Sequence, residues 1–241
     1  MILQFEELDY QNTPLGEISL RRRVEPRLNG EILYEVKLGD EFLMSSLFTE
    51  AEIQLSKLAL AMLEDTELDI VVGGLGLGYT AVAALKSQSV RSLAVIDIMQ
   101  PVIDWHRRGL VPLGNELVSD PRCKLVHANF FDIALSNSSG FDPEDPNQLV
   151  HAVLLDIDHS PRHWLNPENS AFYSAQGLQS LSNKLHPDGI FGLWSNDPPD
   201  KKFIALLNIV FQPSEAHIVT FPNPYSGGES SNTVYLARKR K

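Results

Sequence analysis

From residue 68 to residue 78 the chain reads Leu-Asp-Ile-Val-Val-Gly-Gly-Leu-Gly-Leu-Gly, and this stretch restricts the fold more than any other. The β-branched run Ile70, Val71, Val72 favours a buried strand. The glycines Gly73, Gly74, Gly76 and Gly78 follow directly. They let the backbone turn sharply and let a ligand approach it closely. Tyr79–Lys86 then reads as a helix, whose N-terminus presents free N–H groups. Strand, glycine turn and helix in that order make a cradle for a pyrophosphate or, in a nucleoside-only site, for a ribose and its tail. A glycine-rich packing loop is the plainer alternative.

Strands and helices alternate from there on. Leu93–Ile96 reads as a strand ending at Asp97, and Pro101–Arg108 as a helix with Pro101 in its first turn. Lys124–His127 and Leu149–Leu155 read as further strands, separated by a polar loop over residues 137–148. A helix is expected over Ala171–Leu185, a turn at His186–Gly189 and a strand over Ile190–Trp194. Phe203–Val210 reads as a helix, and Ala216–Phe221 with Thr233–Ala237 as a closing edge hairpin. This alternation predicts an α/β fold, a Rossmann-like sheet with helices on both faces, over residues 49–241. Residues 1–48 read as a small β-strand domain: Ile18–Val24, Ile32–Leu38 and Phe42–Leu47, with a tight turn at Gly39-Asp40. Thr49 and Glu52 have capping-box spacing at the head of the helix that joins the two parts.

The formal net charge of -11 disfavours nucleic-acid phosphates as partners. Arg21-Arg22-Arg23 and the tail Arg238–Lys241 read as a solvated strand edge and a solubilising end. The single cysteine, Cys123, excludes an internal disulfide and a thiolate metal cluster. The absence of a charged-then-apolar leader and of a long apolar stretch makes the cytoplasm the expected compartment, with no membrane partner.

Three further sites point to a nucleoside. Asp97 ends the strand after the glycine loop, where a carboxylate can accept from both ribose hydroxyls; helix capping is the alternative role. Ile98 beside it can pack on a purine face. In Asn129-Phe130-Phe131-Asp132, either Asn129 or Asp132 can accept from an adenine amine beside the Phe130 wall; a plain loop with a core phenylalanine is the alternative. No Lys-Ser/Thr pair follows the loop, which excludes a phosphate-binding kinase or ATPase loop. The next strand ends Asp156-Ile157-Asp158-His159, at the edge where open α/β sheets bind ligands. Asp156 is the expected general base, with Asp158 and His159 holding an acceptor. A metal is not expected, since no helical His-x-x-x-His pair accompanies these acids.

Several segments together resemble the spermidine synthase family of aminopropyltransferases: GDEFLMSSLFTEAEIQLSKLAL, VVGGLGLGYTAV, VIDIMQPVIDW, DPRCKLVHANFFDI, LLDIDHSP and LHPDG. The resemblance implies a β-strand domain on a methyltransferase-like Rossmann domain, a homodimer, and transfer of an aminopropyl group from decarboxylated S-adenosylmethionine to a small amine. It implies that Asp97 binds the ribose, that Ile98 and Asn129 lie at the adenine, and that Asp156 is the catalytic base. Gly76 stands where the family has an aspartate for the donor's amine, and His159 where it has a second acid. These differences keep two alternatives open: methyl transfer from S-adenosylmethionine, with backbone N–H groups of the loop receiving its carboxylate, and a non-catalytic nucleoside-binding homologue.

Overall fold

The structure, a computed structural model, describes residues 4–138, 140–142 and 145–241. Ser139, Pro143 and Glu144 of the expected polar loop lie outside the described residues, as do Met1–Leu3.

Strands β1 (Phe5–Thr13), β2 (Gly16–Glu25), β3 (Glu31–Leu38) and β4 (Glu41–Ser45) form an antiparallel sheet in sequence order. The apolar pattern anticipates β2 to β4 and misses β1, whose FEELDYQNT lacks a continuous hydrophobic face. Pairing with β2 holds it, and Glu6 meets Arg22 across the register at 2.7 Å. The Arg21–Arg23 run is therefore no free basic edge: Arg23 bonds Glu25 at 2.6 Å and Glu35 at 2.7 Å.

Helix α1 (Glu50–Ala61) leads to β5 (Leu68–Gly73), α2 (Tyr79–Leu85), β6 (Val90–Asp97), α3 (Gln100–Arg107), α4 (Gly114–Ser119) and β7 (Cys123–His127). Then come α5 (Phe130–Leu135), β8 (Val150–Leu155), a short 3-10 helix Pro167–Ala171, α6 (Ala175–Asn183), β9 (Leu185–Ser195), α7 (Lys201–Val210), β10 (Phe211–Asn223) and β11 (Gly228–Lys239). The second sheet has the order β10-β11-β9-β8-β5-β6-β7. Its core is parallel, and the β10–β11 hairpin closes one edge antiparallel, as the sequence pattern expects. The chain runs outward from β5 to β7, then returns to the other flank of β5 with β8. That reversal opens a crevice beyond the carboxyl ends of β5 and β8.

Alternate side chains of each central strand feed two separate cores, as the two-residue strand period requires. Ile70, Val72, Ala152 and Leu154 pack on the face with Leu55, Val82 and Val102. Val71, Val153, Leu155 and Phe191 pack on the other, with Phe130, Phe172 and Leu178. The 137–148 loop is not purely superficial, because Phe141 inserts into this second core and stacks on Phe130.

Three local expectations change. The helix expected over Ala171–Leu185 begins only at Ala175, where the Ser174 hydroxyl caps Gly177 N–H at 3.0 Å; Phe172 and Tyr173 drop into the core instead. The His186–Gly189 turn is a bulge inside β9, with Asp188 at φ 63°. The β8–β9 register slips there from Val150↔Leu185 to Ala152↔Ile190. Thr49 makes no side-chain capping bond, so the capping box does not form and the Glu52 carboxylate turns elsewhere. Among the described residues, no helix is long and apolar enough to cross a membrane.

Candidate nucleoside-binding and transfer site

A cavity occupies the crevice, walled on one side by the glycine loop and on another by the small sheet through Ile18, Val36, Leu43 and Met44. Gly74, Gly76, Gly78, Asp97, Ile98, Asn129, Phe130, Asp156 and His159 all line it. The structure thus brings most of the expected residues to one place, from four separate stretches of chain.

The loop is tightly constrained. Gly74 has φ 95°, and a Cβ there would run into the Asp156 carbonyl. Gly73 lies beneath the loop, packed on the Phe130 ring, and does not reach the cavity. Gly74→Ala is expected to lower the melting temperature by about 5 °C or more. A positive-φ side chain costs about 1–3 kcal/mol, and a chain of this size loses roughly 2–4 °C per kcal/mol. Differential scanning calorimetry checks this.

Asp97 ends β6 and faces the cavity while accepting from Leu75 N–H at 2.9 Å and Met99 N–H at 2.7 Å. Burial pushes its carboxyl above the ordinary range, against the pull of the N–H donors of Leu75, Met99 and Gly76. Each carboxylate oxygen retains lone-pair capacity for a hydroxyl donor. The capping role and the ligand-facing position therefore belong to the same residue.

Most N–H groups of the loop are already engaged. Gly74 N–H donates to Ile96 at 2.9 Å and Gly78 N–H to Leu75 at 2.8 Å. That of Leu75 donates to Asp97, and that of Gly76 lies close enough to favour the charged form of the same carboxylate. Leu77 N–H meets the Met44 thioether at 3.0 Å, and that sulfur lies directly over Gly76. His106, fully buried and held neutral by that burial, bonds the Gly76 carbonyl at 3.0 Å from below.

Asp156 ends β8 and accepts the Thr80 hydroxyl at 2.7 Å; the Thr80 carbonyl in turn receives the Ser56 hydroxyl at 2.6 Å. Burial pushes the Asp156 carboxyl up to about 6. A carboxylate so poised is largely ionised at neutrality yet more basic than an ordinary one, which suits a proton acceptor.

Other expected residues sit differently. Asp158 does not line the cavity: its buried carboxylate accepts from Leu165 N–H at 2.8 Å, the Asn169 amide at 2.9 Å and the Tyr173 hydroxyl at 2.9 Å. It organises the loop after β8. Asp132 lies exposed on the first turn of α5, away from the cavity. Asn129 does face the cavity, and its side-chain oxygen also caps α5 through Phe131 N–H at 2.9 Å, which uses one of its two lone pairs. His159 lines the cavity, its Nε2 bonded to Glu41 of β4 at 2.7 Å, which ties the small sheet to the crevice.

Among the residues that the sequence pattern alone misses are the wall residues Met44 and Glu52 and, behind the wall, Thr80, which holds Asp156. For Glu52 a signal exists. It shares the buried face of α1 with Leu55, Ser56 and Ala59, at spacings of three, four and seven residues, where an acid is out of place.

No protein-family model matches the chain, and no significant match is found among curated proteins. Solved structures do match. Spermidine synthase from Thermotoga maritima superposes with a TM-score of 0.71 at 17% identity, over 97% of this chain and 72% of that one. A spermidine synthase in complex with the transition state analogue AdoDATO gives 0.74 at 17% identity, over 97% and 73%. Human methyltransferase-like protein 13 in complex with SAH gives 0.58 at 16% identity, over 79% and 82%. The fold is the Rossmann-like methyltransferase sheet preceded by an antiparallel β module, which this chain shares with the spermidine synthase structures.

Proposed function

We propose that the chain is a spermidine-synthase-like transferase that moves an aminopropyl group from decarboxylated S-adenosylmethionine to a small amine. The observation that carries this reading is the placing of two carboxylates, Asp97 and Asp156, in one cavity on opposite flanks of β5. Asp97 grips the ribose hydroxyls, and Ile98, 42% exposed at the rim, packs on the purine. The unprotonated acceptor nitrogen attacks the aminopropyl carbon bonded to the sulfonium. The N–C bond forms as the C–S bond breaks, the bonding pair stays on sulfur, and neutral methylthioadenosine leaves. The proton shed by the attacking nitrogen passes to Asp156. Holding both reactants in line supplies much of the rate.

The engaged loop favours the decarboxylated donor over S-adenosylmethionine. A donor carboxylate needs N–H partners, and those of Gly74, Leu75, Leu77 and Gly78 already have theirs, while that of Gly76 faces the Asp97 carboxylate. It would also meet the buried acids Glu52 and Asp156. Loss or absence of a charged hydrogen bond in such a place costs about 1.5–3 kcal/mol.

A thermal-shift series tests the reading. Decarboxylated S-adenosylmethionine and methylthioadenosine at saturating concentration should each raise the melting temperature. A ligand at one hundred times its Kd adds about 2.7 kcal/mol. S-adenosylmethionine should raise it least. A larger shift with S-adenosylmethionine would transfer the assignment to methyl transfer, and no shift with any of the three would leave a homologue without nucleoside binding.

A further inference from the structure

Glu52 stands on the third residue of α1 with 6% of its surface exposed, and it lines the cavity. Its Oε2 has no hydrogen-bond partner. A buried acid with an orphaned oxygen costs stability, and proteins keep such a group where something else completes it. The capping bond that its spacing predicts is not made, since Thr49 caps nothing. Nor, among the described residues, does a cation complete it: the charged neighbours that act on Glu52 are Asp156 and Glu50, both acidic, and the remaining titratable group facing it is the Tyr79 hydroxyl. What is missing is therefore a positive, hydrogen-bond-donating group small enough to enter beside Asp156.

We infer that Glu52 is the carboxylate that receives an ammonium group in this cavity, opposite the proton-accepting Asp156. The inference rests on the transferase reading for the identity of the ammonium, which comes either from the donor's aminopropyl end or from the acceptor amine. It accounts for Gly76: an acid on the glycine loop is dispensable when α1 supplies one from the facing wall. It also accounts for the charge state of the empty cavity. Burial, and then the neighbouring Asp156, hold the Glu52 carboxyl well above the ordinary range, which favours its protonated form until a cation arrives. On binding, the ammonium takes the place of that proton, which leaves to solvent.

Isothermal titration calorimetry on the full chain separates the possibilities. The probes are decarboxylated S-adenosylmethionine, methylthioadenosine, which lacks the amine, and 1,4-diaminobutane, titrated with and without saturating methylthioadenosine. Glu52→Gln keeps the shape of the side chain. It should weaken at least one amine-bearing ligand tenfold or more and leave methylthioadenosine within about twofold. A penalty on the decarboxylated donor assigns the ammonium to the donor, and a penalty on 1,4-diaminobutane assigns it to the acceptor. In buffers of different ionisation enthalpy, wild type should release a proton on binding the amine and Glu52→Gln should not. Glu52→Asp, which retains the charge on a shorter arm, should recover part of the affinity and supplies a second variant if Glu52→Gln folds poorly. Equal affinity of wild type and Glu52→Gln for both amines overturns the inference, as does an equal penalty on methylthioadenosine, or wild type binding neither amine. If methylthioadenosine fails to bind while diamine binding still depends on Glu52, the nucleoside reading falls and this one stands.

Discussion

Asp156→Asn is expected to leave the fold and nucleoside binding intact while lowering turnover about 10²–10⁴-fold, the usual range for removing a general base. Asparagine still accepts the Thr80 hydroxyl that Asp156 accepts at 2.7 Å, so the end of β8 keeps its anchor. What goes is the proton sink. The pH dependence follows from burial, which pushes the Asp156 carboxyl up to about 6. Its base form is lost as pH falls through that value, so wild-type kcat/KM should climb from pH 5 to 7 and then level off. The residual activity of Asp156→Asn should lack that limb. Glu52 shares the cavity, so the limb belongs to the pair and need not follow a single titration. Stability should move the other way. A carboxyl whose folded pKa is raised contributes fully below its unfolded pKa of about 4, and the contribution is lost as pH rises through about 6. Asp156→Asn should therefore melt higher than wild type at pH 7.5, with the gap closing near pH 4. Steady-state kinetics with the decarboxylated donor and a diamine, together with calorimetry at the two pH values, check both halves. Unchanged turnover in Asp156→Asn would remove this residue from the chemistry.

Asp97→Ala is expected to abolish measurable nucleoside binding. Two ribose hydroxyls on one carboxylate make charged hydrogen bonds worth about 1.5–3 kcal/mol each. Their joint loss weakens binding by two orders of magnitude or more. The substitution also frees the N–H groups of Leu75 and Met99, which Asp97 holds at 2.9 Å and 2.7 Å, so the loop loses its brace. Asp97→Asn separates the two contributions. Its amide oxygen can keep one backbone donor while losing the charge, so its melting temperature should stay closer to wild type than that of Asp97→Ala while methylthioadenosine binding still falls. Titration of methylthioadenosine into each protein reads the effect. An Asp97→Ala protein that binds the nucleoside as wild type does would detach the ribose from this residue.

The main sheet is legible because its determinants are local and repeated. Ile70–Val72 and Val153–Leu155 are apolar on both faces, as strands covered by helices must be. Asp97 and Asp156 are legible for the same reason: a strand's end fixes which edge its last residue reaches. Short elements are harder to read. Strand β1 is held by cross-strand partners rather than by its own hydrophobicity. Helices α4 and α5 have six residues each, too few for a helical period to stand out.

The roles of individual acids depended on distance in three dimensions. Asp156 and Asp158 are two positions apart, yet one faces the cavity and the other turns inward to Asn169 and Tyr173. Glu52 fits a capping box by spacing and lies instead against Asp156, more than a hundred residues away in the chain. Met44 crosses from the small sheet to close over Gly76. By itself the sequence determined the alternating fold, the glycine turn and the strand ends where a ligand lies, because backbone propensity and hydrophobic period act over a few residues. Which side chains share the cavity, which oxygen there lacks a partner and which N–H groups remain for a ligand were decided by tertiary packing alone, because burial and hydrogen-bond satisfaction depend on neighbours that the order of residues does not name.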